Sequence, residues 1–293
     1  MKLVPRTSKK SERYFVEIAW GAEYTERMTQ SIAWLQDEIA DRMLQKLDIV
    51  KLDVKAVLLI PEFPGKYFSL LKKRFPAARV DSLYEEDASS TTAIQTKLFQ
   101  LWQRVFKGAH RSPFKDYLQT GKLVLPDNSV DLIFCDLLLQ DLSDPPHFLQ
   151  ECWRVLKEGG LLTFSYLGPD TGKELRALEA GSLKLKNLAS PWDMHDMGDA
   201  LLGERFSDPV MDMEYLYLDY ESDDLLLADA NALKLLQMRP SEALKKGFLP
   251  QKLTLEVVYG HAWAIGKHLA KAQDNVAYVD INQIGRKTRS DSA

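Results

Sequence analysis

An apolar run, Val57–Ile60, ends in a loop of Pro61, Glu62, Phe63, Pro64 and Gly65. A buried strand that empties into a loop can receive a nucleotide-type ligand, which comes close to the backbone and therefore favours glycine. Here proline and phenylalanine crowd the loop and Gly65 alone remains, so the stretch reads as a cofactor site, the remains of one, or a turn. The other reactive side chains exclude more chemistry than they supply. Cys135 and Cys152 have no metal-ligand spacing and form no disulfide framework, so no metal is expected and the compartment reads as reducing and cytoplasmic. The Ser, Cys and His positions offer no nucleophilic triad. Leu101–Lys115 mixes Arg104, Lys107, Arg111 and Lys115 with aromatics. It reads as a patch that steers an acidic partner or, more plainly, as a solvated helix face followed by a loop.

These residues need a scaffold, and composition bounds it. The chain has 293 residues, 45% hydrophobic, with a formal net charge of −4. That length suits one large domain or a domain with an insertion, and the acidic balance places nucleic acid last among partners. No apolar run reaches the roughly 18 residues of a membrane span. The basic N-terminus lacks the apolar core of a secretory signal, so residues 1–25 read as a flexible leader. Residues 26–268 form the domain, with a helical insertion at about 222–245, and 269–293 read as a flexible tail.

Within the domain, Ile32, Leu35, Ile39, Met43 and Leu47 recur at steps of three or four, which predicts an amphipathic helix over 26–48. Strands are predicted at Ala56–Ile60, Ala78–Asp81, Asp131–Asp136 and Leu161–Leu167, with helical stretches between them, including 91–107. A helix from about Pro146 to Lys157 is expected to stop at Gly159–Gly160 in a left-handed cap. Continuous apolar strands alternating with helices argue an α/β, doubly wound, mostly parallel sheet with helices on both faces. After Gly168 the rhythm changes, and the strands VMDMEYLYLDY and LTLEVVYGHAWAI are expected to pair antiparallel at the sheet edge.

The stretch LPDNSVDLIFCDLLLQDLSDPPHFLQECWRVLKEGGLLTFSYLGPDTGKELR, with DMHDMGDALL, FSDPVMDME and VYGHAW after it, resembles class I S-adenosylmethionine-dependent methyltransferases. More narrowly it resembles the malonyl-acyl-carrier-protein O-methyltransferases of biotin synthesis. The resemblance implies a Rossmann-like, seven-stranded sheet, S-adenosyl-L-methionine as cofactor, and acyl carrier protein as partner. It implies that Pro61, Glu62 and Gly65 line the cofactor loop, that Asp81 ends the second strand and holds the ribose, and that Cys135 and Asp136 meet the methionine end. The family pattern in the loop resembles VLDLGCGTG, and here Leu59 replaces the acid while Pro61 and Phe63 replace two glycines. The family's acid before LPLPD falls at Gln119.

Methyl transfer to a carboxylate asks the protein to align two reactants and exclude water, because the nucleophile is already an anion. The resemblance places Tyr166, Arg176 and His195 on the substrate side, and Arg176 has the fork geometry to clamp a free carboxylate. The plainer reading makes Arg176 a helix-surface cation and His195 a helix-start hydrogen-bonder. Two functions stay open: an active methyltransferase with an unusual loop, and a pseudo-methyltransferase of the same fold kept for protein interaction.

Overall fold

Apolar runs of strand length become strands, and the amphipathic stretches become helices on both faces of one sheet. The computed structural model describes residues 22–62, 67–84, 110–176, 192–235, 249–267, 271–273 and 276–278. In chain order these form α1 (Ala22–Lys46), β1 (Ala56–Glu62), α2 (Tyr67–Arg74), β2 (Arg79–Tyr84), β3 (Arg111–Pro113) and α3 (Phe114–Thr120). There follow β4 (Val130–Cys135), α4 (Pro145–Val155), β5 (Leu156–Leu167), the short α5 (Lys173–Arg176) and α6 (Met194–Gly203). The last elements are β6 (Ser207–Asp219), α7 (Asp223–Ala232), β7 (Lys252–Ala264), β8 (Lys271–Gln273) and β9 (Val276–Tyr278).

The main sheet has seven strands in the order β3-β2-β1-β4-β5-β7-β6. Strands β3 to β5 run parallel, and β7 pairs antiparallel with both β5 and β6, as the change of rhythm after Gly168 predicts. Strand β1 is central, with Val57 to Ile60 opposite Leu132 to Cys135 of β4. The chain runs outward from β1 to β3 and then returns to the other side of β1. In such a sheet the ligand crevice opens at this reversal, outside the carboxyl ends of β1 and β4.

Alternate residues of each strand feed two cores. Val57, Leu59, Leu132 and Phe134 pack with α1 and α7 through Ile39, Met43 and Leu226. Ala56, Leu58, Ile60, Ile133 and Phe164 pack with α3, α4 and α6 through Phe114, Phe148 and Met197. Burying each such side chain contributes about 1.5–3 kcal/mol before chain entropy is counted. The strand starts are tied as well. Asp131 accepts the backbone N–H groups of Lys55 and Ala56 at 2.9 and 2.8 Å and the Lys157 ammonium at 2.7 Å.

Several sequence expectations change. Helix α4 ends at Val155, and Gly159, at φ 75°, lies inside β5, where the pairing with β4 shifts register between Val130 and Leu132. The glycine serves a strand irregularity and not a helix cap. Helix α1 starts at Ala22, inside the expected leader, and β8 pairs with β9 inside the expected tail. Strand β2 continues to Tyr84, so Asp81 stands mid-strand opposite Leu58 instead of at the strand's end. The helix expected over 91–107 lies outside the described residues.

Candidate active site

Two groups of side chains stand at the carboxyl edge, one on each side of β1. On the outer side, Glu62 at the end of β1 accepts hydrogen bonds from Ser82 Oγ at 2.6 Å and from Arg111 Nε at 2.7 Å. The Arg111 guanidinium lies 4.1 Å from the centre of the Tyr84 ring, and its Nη1 is buried with no hydrogen-bond partner among the described residues. Glu62 and Tyr84 are paired residues of β1 and β2, and Arg111 opens β3, so three strand ends converge here. The structure therefore spends Glu62 on internal contacts and places an ion pair capped by an aromatic ring at the edge of β2 and β3. Pro61 is buried beside it and carries no N–H to offer a ligand. Leu59, where the resembling pattern has an acid, is completely buried in the core. Gly65 lies outside the described residues.

On the inner side, the chain leaves β4 through Cys135 and Asp136. Both are fully buried, and burial pushes the Cys135 thiol up, so it is not a nucleophile at neutral pH. The Asp136 N–H donates to the Ile60 carbonyl of β1 at 2.9 Å. Its carboxyl Oδ1 accepts from Ser165 Oγ of β5 at 2.5 Å, while Oδ2 is buried with no hydrogen-bond partner among the described residues. Burial raises the Asp136 pKa to about 7, Ser165 works against that rise and Asp37 of α1 adds to it. Leu137 next in the chain has φ 47°, a left-handed backbone that a leucine adopts only under constraint. Its N–H is held by the carbonyl and hydroxyl of Ser165 at 3.1 and 3.0 Å.

The other predicted residues do not gather into one cluster. Asp81 is 1% exposed, and its carboxylate is occupied by the His110 N–H at 2.8 Å and Arg79 Nε at 3.0 Å. Tyr166 is buried, with its phenol pKa pushed up by that burial, and it donates to the Asp193 carbonyl at 3.0 Å. Asp193 in turn caps α6 by accepting from the His195 and Asp196 N–H groups at 2.7 and 2.8 Å. The His195 ring is exposed on the first turn. Arg176 sits across the loop after β5, where its nearest charge among the described residues is Asp170 at 3.8 Å. Gln119, where the resembling pattern has an acid, is exposed in the last turn of α3. Of the basic stretch, residues 101–109 lie outside the described residues, and Arg111 faces inward to Glu62 and Tyr84, so it does not serve an outer patch.

The loop after β5 is held with care. Gly168 donates to the Glu256 carbonyl at 2.8 Å, and a Cβ there would come within 2.6 Å of the Glu256 carboxyl carbon. The same carboxylate accepts the Asp170 N–H at 2.5 Å, and Thr171 Oγ1 accepts the Glu256 N–H at 3.0 Å. Glu256, Ser165 and Tyr84 were not singled out from sequence. Their roles depend on strand register, which the sequence does not state. For Glu62 and Arg111 a signal existed in opposite charges near two strand ends, but the start of β3 had to be known to use it.

S-adenosylmethionine, the cofactor that the resemblance implies, joins an amino-acid end to an adenosine end, and the two fare differently. The orphaned Asp136 Oδ2 is an acceptor suited to an ammonium, so the amino-acid end fits the crevice between β1 and β4. The adenosine end meets an altered donor set. The end of β2 presents Tyr84, Asp81 is occupied three residues earlier, and Glu62 already holds Ser82 and Arg111. Among the described residues no group of three or more His, Cys, Asp or Glu side chains could hold a metal ion. Nor is any described helix long and apolar enough to cross a membrane.

A family profile described as "Methyltransferase domain" matches residues 109–164, from the residue before His110 through most of β5. A malonyl-[acyl-carrier protein] O-methyltransferase of Gallionella capsiferriformans is 37% identical over 79% of this chain and 84% of its own length. The malonyl-[acyl-carrier protein] O-methyltransferase 1 of Coxiella burnetii is 33% identical over 89% of this chain and 92% of its own. Among solved structures, phosphoethanolamine N-methyltransferase 2 of Haemonchus contortus, in complex with phosphomonomethylethanolamine and S-adenosylhomocysteine, superposes with a TM-score of 0.50 at 12% identity. That likeness covers 83% of this chain and 58% of the other, and it speaks for the fold.

Proposed function

The chain belongs to the malonyl-[acyl-carrier protein] O-methyltransferase family, and from that premise we propose that it methylates the free carboxylate of a malonyl group carried on acyl carrier protein, a step of biotin synthesis. The cofactor, when bound, supplies a methyl group made electrophilic by its sulfonium. The observation that carries the reading is the inner half of the switch point, where β1, β4 and β5 converge on Asp136 and Ser165. A malonyl carboxylate is an anion at neutral pH and needs no general base, so the chain's work is placement and exclusion of water. The Ser165 contacts fix Leu137 and the turn out of β4, and Glu256 fixes the loop after β5. Tyr166 anchors α6 through Asp193, which closes the same edge. Arg176, at 3.8 Å from Asp170 and partly exposed, is the cation we assign to the substrate carboxylate. Two free, buried cysteines agree with a cytoplasmic location.

A second reading, a non-catalytic member kept for protein interaction, is favoured by the Glu62–Arg111–Tyr84 cluster on the adenosine side. One experiment separates the two. Purified chain, malonyl-acyl carrier protein and S-adenosylmethionine are incubated, and the carrier protein is weighed by mass spectrometry. A mass gain of one methylene that is lost on ester hydrolysis supports the transfer. An unchanged carrier protein, with the family member of Gallionella capsiferriformans active in parallel, favours the second reading.

A further inference from the structure

We infer that Gln140 is a positioning residue for methyl transfer, because its one amide clamps together the chain leaving β4 and the chain leaving β5. The inference rests on the methyl-transfer reading and adds to it a residue that acts through main chain rather than on a reactant.

The clamp is built from main-chain contacts. Gln140 stands in the short helical turn Leu139–Asp141, just past β4. Its Nε2 donates to the Leu137 carbonyl at 2.6 Å, and its Oε1 accepts the Leu167 N–H at 3.3 Å. Leu167 is the last residue of β5, so one side chain spans the exits of two neighbouring strands. Leu137 is also the leucine at φ 47°, whose N–H goes to the carbonyl and hydroxyl of Ser165. Both main-chain polar groups of Leu137 are therefore fixed, the N–H by Ser165 and the carbonyl by Gln140. A leucine leaves the left-handed region unless its peptides are held. Asp141 pins the same turn once more, accepting from Lys234 Nζ, just after α7, at 2.8 Å.

What the two exits carry gives the clamp its meaning. The chain leaving β4 holds Cys135 and Asp136, the residues that the resemblance sets at the donor's methionine end. The chain leaving β5 runs through Asp170 to Arg176, the cation assigned to the substrate carboxylate. Transfer at a methyl carbon depends on the distance and angle between the two sides, and a misplacement of about 1 Å can cost on the order of 100-fold in rate. Among the described residues, Gln140 is the side chain just past β4 that reaches the last N–H of β5.

The test compares the intact chain with Gln140→Met and Gln140→Glu in steady-state methyl transfer to malonyl-acyl carrier protein. Amide hydrogen exchange at Leu167 is followed in the same proteins without ligand, and thermal melts are recorded for each. Gln140→Met keeps the length and removes both bonds. It is expected to lower kcat by about 10–100-fold, to leave each KM within about threefold, and to speed exchange at Leu167. Gln140→Glu keeps the acceptor for Leu167, but its carboxylate opposes the Leu137 carbonyl. Once protonated it has the shape of glutamine and donates an O–H to that carbonyl, a contact that favours the protonated form. Its kcat relative to the parent is therefore expected to climb as pH falls from about 7.5 to about 5. This reversible arm keeps the inference testable should Gln140→Met fail to fold. A lowered melt with unchanged kcat makes Gln140 merely structural and overturns the inference while methyl transfer stands. A rise in KM alone, unchanged exchange at Leu167 in Gln140→Met, or a Gln140→Glu ratio flat with pH does the same. A parent chain that transfers no methyl group overturns the methyl-transfer reading and this inference together.

Discussion

His261 gives the sharpest physical test of the fold. It lies on β7 opposite Thr163 of β5, is 7% exposed, and neither ring nitrogen has a hydrogen-bond partner among the described residues. Burial, with a smaller contribution from Lys46 of α1, lowers its pKa from 6.5 to about 4. The unfolded chain therefore binds a proton on this residue at about pH 6.5, while the folded chain refuses it until about pH 4. A depressed folded pKa means that stability is whole above the unfolded value and is lost as pH falls toward the folded one. Two and a half units at 1.36 kcal/mol each set a loss of about 3 kcal/mol between those limits. His261→Phe keeps the volume and removes both orphan nitrogens. At neutral pH it should be more stable than the parent by about 1–3 kcal/mol, because an unpaired buried polar group costs about that much. The assay is urea unfolding of both chains at steps from neutral to acid pH, comparing their difference so that carboxylates common to both cancel. Parallel stability curves for the two chains would refute the assignment of acid sensitivity to His261.

Three further outcomes follow from particular contacts. A Cβ at Gly260 would come within 2.2 Å of the Phe164 ring, which is fully buried, so Gly260→Ala should cost about 1–3 kcal/mol by thermal or urea unfolding, and Phe164→Leu should recover part of it. Asp131→Asn removes the charge that joins the starts of β1 and β5, and a loss of about 1–3 kcal/mol is expected, shrinking where Lys157 is changed to Met in the same chain. Tyr84→Asp combined with Arg111→Ala offers adenosine hydroxyls an acceptor at the end of β2, and it should tighten 5′-methylthioadenosine binding by about tenfold in calorimetry; unchanged affinity would separate this edge from the nucleoside.

The sheet was legible because burial on both faces writes strands as continuous apolar runs. Val57–Ile60 and Asp131–Cys135 are adjacent as their composition implies, and the alternation in VMDMEYLYLDY became the half-wet edge strand β6. Boundaries were less legible, since Gly159–Gly160 suits a helix cap and a strand irregularity equally until the pairing of β4 with β5 is known. The site was legible only where one residue decides its own role. Asp136 follows an apolar strand and had to end near the crevice. Asp81 was expected at the strand end, but three further residues of β2 follow it, and its carboxylate accepts from the His110 N–H.

That contrast bears on how the altered loop should be understood. Leu59, Pro61 and Tyr84 each depart from the pattern that the chain resembles, and singly each would look like loss. Together with Glu62 and Arg111 they form a satisfied arrangement: an apolar residue in an apolar core, a carboxylate with two donors, and a guanidinium on a ring. Simple decay leaves orphans, because a lost partner strands the group it used to satisfy. On this edge one orphan remains, Arg111 Nη1, while on the inner edge Asp136 Oδ2 is the orphan. One is a donor on β3 and the other an acceptor just after β4. The outer edge is therefore rearranged rather than eroded, and the methyl-transfer assay decides whether that rearrangement serves a cofactor or the non-catalytic reading.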